Sequence, residues 1–414
     1  MGIERRIIPI SSGKGGVGKT TIALNYALSL SRHGRTILVD LDTGTSSVRN
    51  CLDTPVERDL YHFFKKNRPL ADCVTTLSPK LDPHGEFQNF GFVAGPKHLI
   101  EDITNFNRTR REALIDAING LKANFIVLDL KAGLDVNVIE FLPFTNSGIL
   151  VFTPHLPAAT LAASDIVKAI LFRKLRTIFS PGSPIYTDLK GLDHRFVSSL
   201  IDRVEDVYDE SVHNLDAFVH DLHHALGDHP VVKFVADAVD SFVVHYVLNM
   251  FNGIRESYET AVRPFVGALA ENVSAHMTIL NLGWVIAHND IHQANIRRMP
   301  ILLSREPPAG AAAGKDRTSS ELAKLAAQYV GTKHPSPRKI RTATAPNPGR
   351  YLDGQLETMK RMYDDMKGAG YRQNFKYIAY RSLHVMHSRG TRDLGDTRIF
   401  KPSDVLTLLS VRSR

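Results

Sequence analysis

The stretch Ile7-Ile8-Pro9-Ile10-Ser11-Ser12-Gly13-Lys14-Gly15-Gly16-Val17-Gly18-Lys19-Thr20-Thr21 decides how the chain is read. An apolar strand runs into a glycine loop that meets G-x-x-x-x-G-K-[ST] from Gly13 to Thr20. Helical apolar spacing follows (Ile22, Leu24, Ala27, Leu28, Leu30) and ends at Gly34, a C-cap residue. Each part of the loop has a chemical reason. Glycines let backbone N–H groups turn inward around phosphate oxygens. Lys19 reaches the β and γ phosphates, Thr20 offers a hydroxyl to Mg²⁺, and the helix N-terminus adds partial positive charge. The candidate nucleotide-binding residues are therefore Gly13, Lys14, Gly15, Gly16, Val17, Gly18, Lys19, Thr20 and Thr21. Lys14 puts a second cation in a loop that already holds Lys19, an arrangement that is repulsive unless polyphosphate is present.

Working outward, Thr36 to Asp42 reads as a fully buried parallel strand that ends in carboxylates. Further apolar runs fall at Phe90 to Ala94, Phe125 to Leu130, Gly148 to Thr153, Val243 to Leu248 and Ile279 to Ile286. Helical patterns separate most of them, notably Arg110 to Leu121 and Ala158 to Leu175. Continuous apolar strands alternating with helices predict an α/β fold, a doubly wound and mostly parallel sheet covered on both faces. Ligands of such sheets bind at the carboxyl ends of strands, where the glycine loop, Asp42 and Asp129 fall.

The loop Lys14-Gly15-Gly16-Val17-Gly18-Lys19-Thr20 resembles the deviant Walker A loop of the MinD/ParA family of dimerising ATPases. The resemblance implies ATP and Mg²⁺ as cofactors and a homodimer in the ATP state, with Lys14 reaching the partner's ATP. Val39-Asp40-Leu41-Asp42-Thr43-Gly44 resembles the family's D-x-D-x-G switch. By that likeness Asp42 activates the attacking water, Asp40 joins the Mg²⁺ shell and Gly44 belongs to the switch. The catalytic set is then Lys14, Lys19 and Asp42, and the metal set Thr20, Asp40 and Asp129. Asp129-Leu130-Lys131-Ala132-Gly133 resembles the Walker B aspartate and second switch, with Gly133 turning an N–H to the γ-phosphate; Lys131 departs from the small residue or proline usual there. Thr153-Pro154 matches the family's turn before a helix, and Asn249 its adenine-reading asparagine. The match runs from about Arg6 to Leu303. The Lys131 neighbourhood and the Thr-Pro turn lean toward the flagellar-number regulators of the family.

Composition sets the bounds. The 414 residues are 43% hydrophobic with no run of eighteen apolar residues, and the two cysteines, Cys51 and Cys73, fit a reducing cytoplasm. They lack C-x-x-C spacing, which argues against an iron–sulfur carrier on the same fold. Charge is uneven. Residues 305–414 hold 21 Lys and Arg against 10 Asp and Glu, a net of +11, while the rest has 30 against 33, a net of −3. Such a tail suggests an anionic surface, membrane or non-specific DNA, or a regulatory protein partner. Localisation is then cytoplasmic, peripheral to the membrane or nucleoid-associated. We expect an ATPase core over 1–304, with a helical insertion at about 174–241 whose His220, His223 and His224 share one face without other metal ligands. A flexible basic linker over 305–350 and a basic helical appendage over 351–414 follow. Leu352, Leu356, Met359, Tyr363 and Met366 make Tyr351 to Lys367 an amphipathic helix suited to a protein partner. The function this predicts is a slow or partner-stimulated ATPase acting as a spatial regulator; the alternative is a ParA-like, DNA-binding partition ATPase or a regulatory scaffold with little hydrolysis.

Overall fold

The apolar runs pair into one sheet, seen in a computed structural model that describes residues 5–42, 47–97, 107–189, 192–206, 210–304, 317–328, 348–387, 394–401 and 404. The first half comprises β1 (Arg6–Ser11), α1 (Lys19–Ser31), β2 (Thr36–Leu41), α2 (Ser47–Cys51), α3 (Leu60–Lys66), β3 (Thr75–Thr76), β4 (Phe90–Val93), α4 (Arg108–Asn119), β5 (Phe125–Leu130), α5 (Val136–Ile139), β6 (Asn146–Phe152) and α6 (Pro157–Ile178). The insertion is helical: α7 (Pro184–Asp188), α8 (Leu192–Glu205), α9 (Leu215–Leu226) and α10 (Pro230–Asp240). After it come β7 (Val243–Phe251), α11 (Ile254–Ser257), a π-helical turn (Tyr258–Val262), α12 (Arg263–Asn272), β8 (Thr278–Ile286), α13 (Asn289–Ile296), α14 (Ser319–Gln328), α15 (Pro348–Asp365) and α16 (Tyr371–His387).

The sheet order is β3-β4-β2-β5-β1-β6-β7-β8, and every pairing is parallel except β3 with β4. The chain leaves β1 toward β2 on one side, then crosses from β5 past β1 to β6 on the other. The strand order therefore reverses around the end of β1, where the crevice of an open α/β sheet forms. β1, β2, β5 and β6 are buried along their whole length, as continuous Val, Ile and Leu runs require when helices cover both faces.

The insertion buries one face and leaves its histidines outside. Asn214 caps α9 by accepting the N–H groups of Asp216 and Ala217 at 3.1 and 3.0 Å. Leu215, Phe218, Val219 and Leu222 face the core, while His220, His223 and His224 are exposed. Among the described residues no group of three His, Cys, Asp or Glu side chains is placed to hold a metal.

The last helices close the β8 edge. Gln355 donates to the Ile279 carbonyl at 3.0 Å, and Arg381 donates to the Asn281 carbonyl at 2.7 Å. Asn374 accepts the Ile286 N–H at 3.4 Å. Met359, Met362 and Met366 of α15 and its neighbouring turn are buried in the core. Most of the amphipathic face read from sequence as a partner surface is thus covered by this chain's own core, α11 and α12 included, while Tyr363 stays exposed. Beyond α16, Asp396 forms an antiparallel bridge with Ile7 and accepts from the Thr145 hydroxyl at 3.0 Å. Gly44, most of the 305–350 linker and the final residues from 405 lie outside the described residues.

Candidate nucleotide site

Strand register builds the floor of the site. Ile10 pairs with Asp129, and Asp129 with Asp40, so two carboxylates lie side by side beneath the loop that leaves β1. Both are fully buried. Asp129 is satisfied from the glycine loop itself: Lys19 Nζ stands 2.5 Å from Oδ1, and the Thr20 hydroxyl donates to Oδ2 at 2.7 Å. The adjacent pair Lys19 and Thr20 thus meets a carboxylate 110 positions further along the chain.

Asp40 is served by backbone instead. Its oxygens accept the N–H groups of Asp42 at 3.2 Å, Val48 at 3.1 Å and Gly95 at 3.4 Å. Burial first, then the neighbouring charge of Asp129 and, less, of Asp42, push its carboxyl up to about 8, against the pull of the Val48 N–H and of Lys19. A carboxylate held this way has a reason to accept a cation. Asp42 is half-buried beside it. Cys51, which sequence reading used only for its redox meaning, closes the same corner: burial and then Asp129 and Asp40 push its thiol up to about 11.

Two glycines are required by geometry. A Cβ on Gly13 would lie 2.3 Å from the Ala162 backbone carbon, so α6 packs directly on the loop. Gly18 has φ of 80°, and a Cβ there would lie 2.2 Å from Nδ2 of Asn249. That amide donates to the Val17 carbonyl at 2.7 Å, which places Asn249, buried at the end of β7, against the loop. Gly15 and Gly16 meet open space, and Lys14 is exposed, its carbonyl held by the Ser12 hydroxyl at 3.0 Å. Gly133 donates its N–H to the Ser12 carbonyl at 2.9 Å, so the second switch leans on the loop's base. Lys131 turns outward to an exposed pair with Asp135 at 3.6 Å. One contact had no sequence signal: Asn295 of α13 donates to the Thr21 hydroxyl at 3.1 Å.

The donor set fits Mg²⁺. The Thr20 hydroxyl, Asp129 and Asp40 are hard oxygen ligands, and an ion held by one or two carboxylates plus phosphates needs no cage of protein side chains. The empty side of Gly15 and Gly16 leaves room for the phosphates.

Residues 5–172 match the family model described as an AAA domain. Over this N-terminal part the chain is similar to MinD proteins, P-loop ATPases of the MinD/ParA family. It is 32% identical over 158 residues to a putative septum site-determining protein MinD of Chlorella vulgaris, covering 38% of this chain and 53% of that one. To the chloroplastic MinD homologue of Arabidopsis thaliana it is 31% identical over 176 residues, covering 40% and 50%. The chain spans about half the length of the curated relatives it matches. The solved MinD of Pyrococcus horikoshii OT3, described as complexed with Mg-ADP, is similar at a TM-score of 0.42 and 17% identity, over 72% of this chain and 87% of that one. The family model ends within α6, so the insertion, β7, β8 and the C-terminal helices lie beyond it.

Proposed function

We infer that this protein binds ATP with Mg²⁺, pairs as a homodimer across Lys14, and hydrolyses ATP slowly or under partner stimulation to act as a spatial regulator. The observation that carries the reading is the convergence of Lys19 and Thr20 on Asp129 beneath an open glycine loop, with Lys14 exposed at its rim. Lys19 here neutralises Asp129; a polyphosphate entering the loop competes for that ammonium, and the loop's N–H groups and the start of α1 stabilise the added negative charge. Bound Mg²⁺ would supply a Lewis acid between the phosphates and the Thr20, Asp129 and Asp40 oxygens. Asp42, half-buried just after β2, is the group that orients water, and Asn249, whose amide donates to the Val17 carbonyl, is the residue that reads the adenine. In the organisation we propose, the ATPase core spans 1–304 and is joined through 305–350 to helices that close its sheet edge.

A protein partner is favoured over a nucleic-acid or lipid surface. The basic surplus of 305–414 is partly consumed inside the fold: Arg381 is buried, Arg372 donates to the Ser304 hydroxyl at 2.8 Å, Lys401 pairs with Asp116 at 2.6 Å and Arg398 with Asp404 at 2.6 Å. Among the described residues no helix is long and apolar enough to cross a membrane.

Light scattering on a sizing column tests the dimer. Wild type should be monomeric with ADP and dimeric with ATP and Mg²⁺, and Lys14→Ala should stay monomeric in both; monomers throughout would overturn the switch. In a phosphate-release assay Asp42→Ala should lose at least about tenfold in rate while still dimerising on ATP. An active Asp42→Ala protein would remove that residue from its role.

A further inference from the structure

A cavity of about 460 Å³ opens at the far end of α1, between that helix, the 81–87 loop and α16. Helix α1 has 13 residues and so places this cavity about 20 Å from the glycine loop. Its volume suits a small ligand.

The charges on its wall do not balance. Arg32 pairs with Glu86 at 2.5 Å. Asp82 spends both oxygens on the N–H groups of Glu86 and Phe87, at 2.9 and 2.8 Å. Asp82 keeps its negative charge, so Arg32, Arg372 and Lys376 face Asp82 and Glu86 with a surplus of one cation, and Arg372 and Lys376 stand one turn apart on the same face of α16. Arg372 donates to the neutral carbonyl and hydroxyl of Ser304 beside the Tyr371 hydroxyl, and its Nε is buried with no hydrogen-bond partner. Lys376 makes no ion pair or hydrogen bond among the described residues. Like charges at this spacing repel unless an anion sits between them. Aromatic rings line the same cavity: Tyr380, one turn beyond Lys376 on α16, meets His33 edge to face at 5.0 Å, and Phe87 lies 4.8 Å beneath Arg32. Burial and then the Arg32 charge hold the His33 imidazole below its ordinary range.

We propose that this cavity is a second ligand site, separate from the glycine loop, for a small phosphomonoester with a planar body. The phosphate bridges Arg372 and Lys376, and the body lies against Tyr380 and His33. Phosphate suits the pair because an arginine fork and a lysine ammonium together supply several charged donors to its oxygens.

Calorimetric titration of the full chain with phenyl phosphate and, separately, inorganic phosphate tests this. One phenyl phosphate should bind per chain, more tightly than inorganic phosphate, with binding unchanged in Lys19→Ala, which disables the glycine loop. Lys376→Glu should weaken it at least about tenfold, and Lys376→Gln should do so less, which covers the case in which the charge reversal perturbs folding. Binding that disappears in Lys19→Ala would assign the ligand to the glycine loop. No binding, binding indifferent to both Lys376 variants, or equal affinity for inorganic phosphate would overturn the site as described. None of these readouts depends on hydrolysis or dimerisation.

Discussion

Two regions of this molecule bury polar and charged groups for opposite reasons. At the carboxyl ends of β2 and β5, Asp40 and Asp129 lie side by side in the interior with Lys19 as their nearby cation. At the β8 edge, Arg381 is 2% exposed and donates to the Asn281 and Ala326 carbonyls. The first arrangement is electrostatically incomplete without a ligand. The second is complete as it stands, because the groups it satisfies are strand and helix carbonyls that would otherwise be unpaired. Buried charge thus marks a site in one place and the seam of the fold in the other. What distinguishes them is whether a like charge lies alongside: Asp40 and Asp129 are neighbours in register, whereas Arg381 meets carbonyls.

Removing the seam should have the largest effect. Arg381→Ala leaves two buried carbonyls without this donor and a void among Tyr377 and the β8 side chains; together these should cost about 3–4 kcal/mol. Thermal unfolding would show the loss, and nucleotide affinity of the folded fraction should not change. A variant as stable as wild type would mean that the β8 edge is held by the surrounding apolar contacts alone.

The two regions also differ in how far they can be read from sequence. The glycine loop, Asp40, Asp42 and Asp129 announce themselves because each sits at the end of an apolar run, and such ends lie together in a parallel sheet. The strand Phe125–Leu130 has the bounds its pattern suggests. The seam is silent. Arg381 lies in a basic stretch that composition assigns to the surface, and nothing local says that its guanidinium turns toward β8. The Met face of α15 is visible as an amphipathic stripe, but a stripe does not name what covers it. The antiparallel β3 has only two residues, too few for any period. Asn295 reaches Thr21 across 274 positions, a contact that only the folded chain creates.

His245 sharpens the comparison as a third case, a buried polar side chain with neither ligand nor partner. It lies fully buried on β7, and neither ring nitrogen has a hydrogen-bond partner. Burial lowers its pKa to about 3. Between that value and the 6.5 of the unfolded chain, the unfolded state binds more protons, so stability falls as pH drops through this range. From pH 6.5 to 4.5 this one residue should account for roughly 2–3 kcal/mol. Chemical denaturation across that range, compared between wild type and His245→Leu, isolates the contribution from that of the carboxylates. Parallel slopes for the two proteins would show that the buried ring is solvated or paired in solution.

The smallest effect should carry the opposite sign, and it comes from the site. Asp40 is held by three backbone N–H groups, yet its negative charge is disfavoured by burial and by Asp129 beside it. Asparagine keeps the shape and one acceptor oxygen while removing the charge. Asp40→Asn should therefore raise the melting temperature of nucleotide-free protein slightly, while weakening the response of that temperature to ATP with Mg²⁺. The trade arises because the interaction that would repay the buried charge exists only with the cation bound. A destabilised Asp40→Asn protein would instead place Asp40 with Arg381, as a group whose charge the fold itself requires.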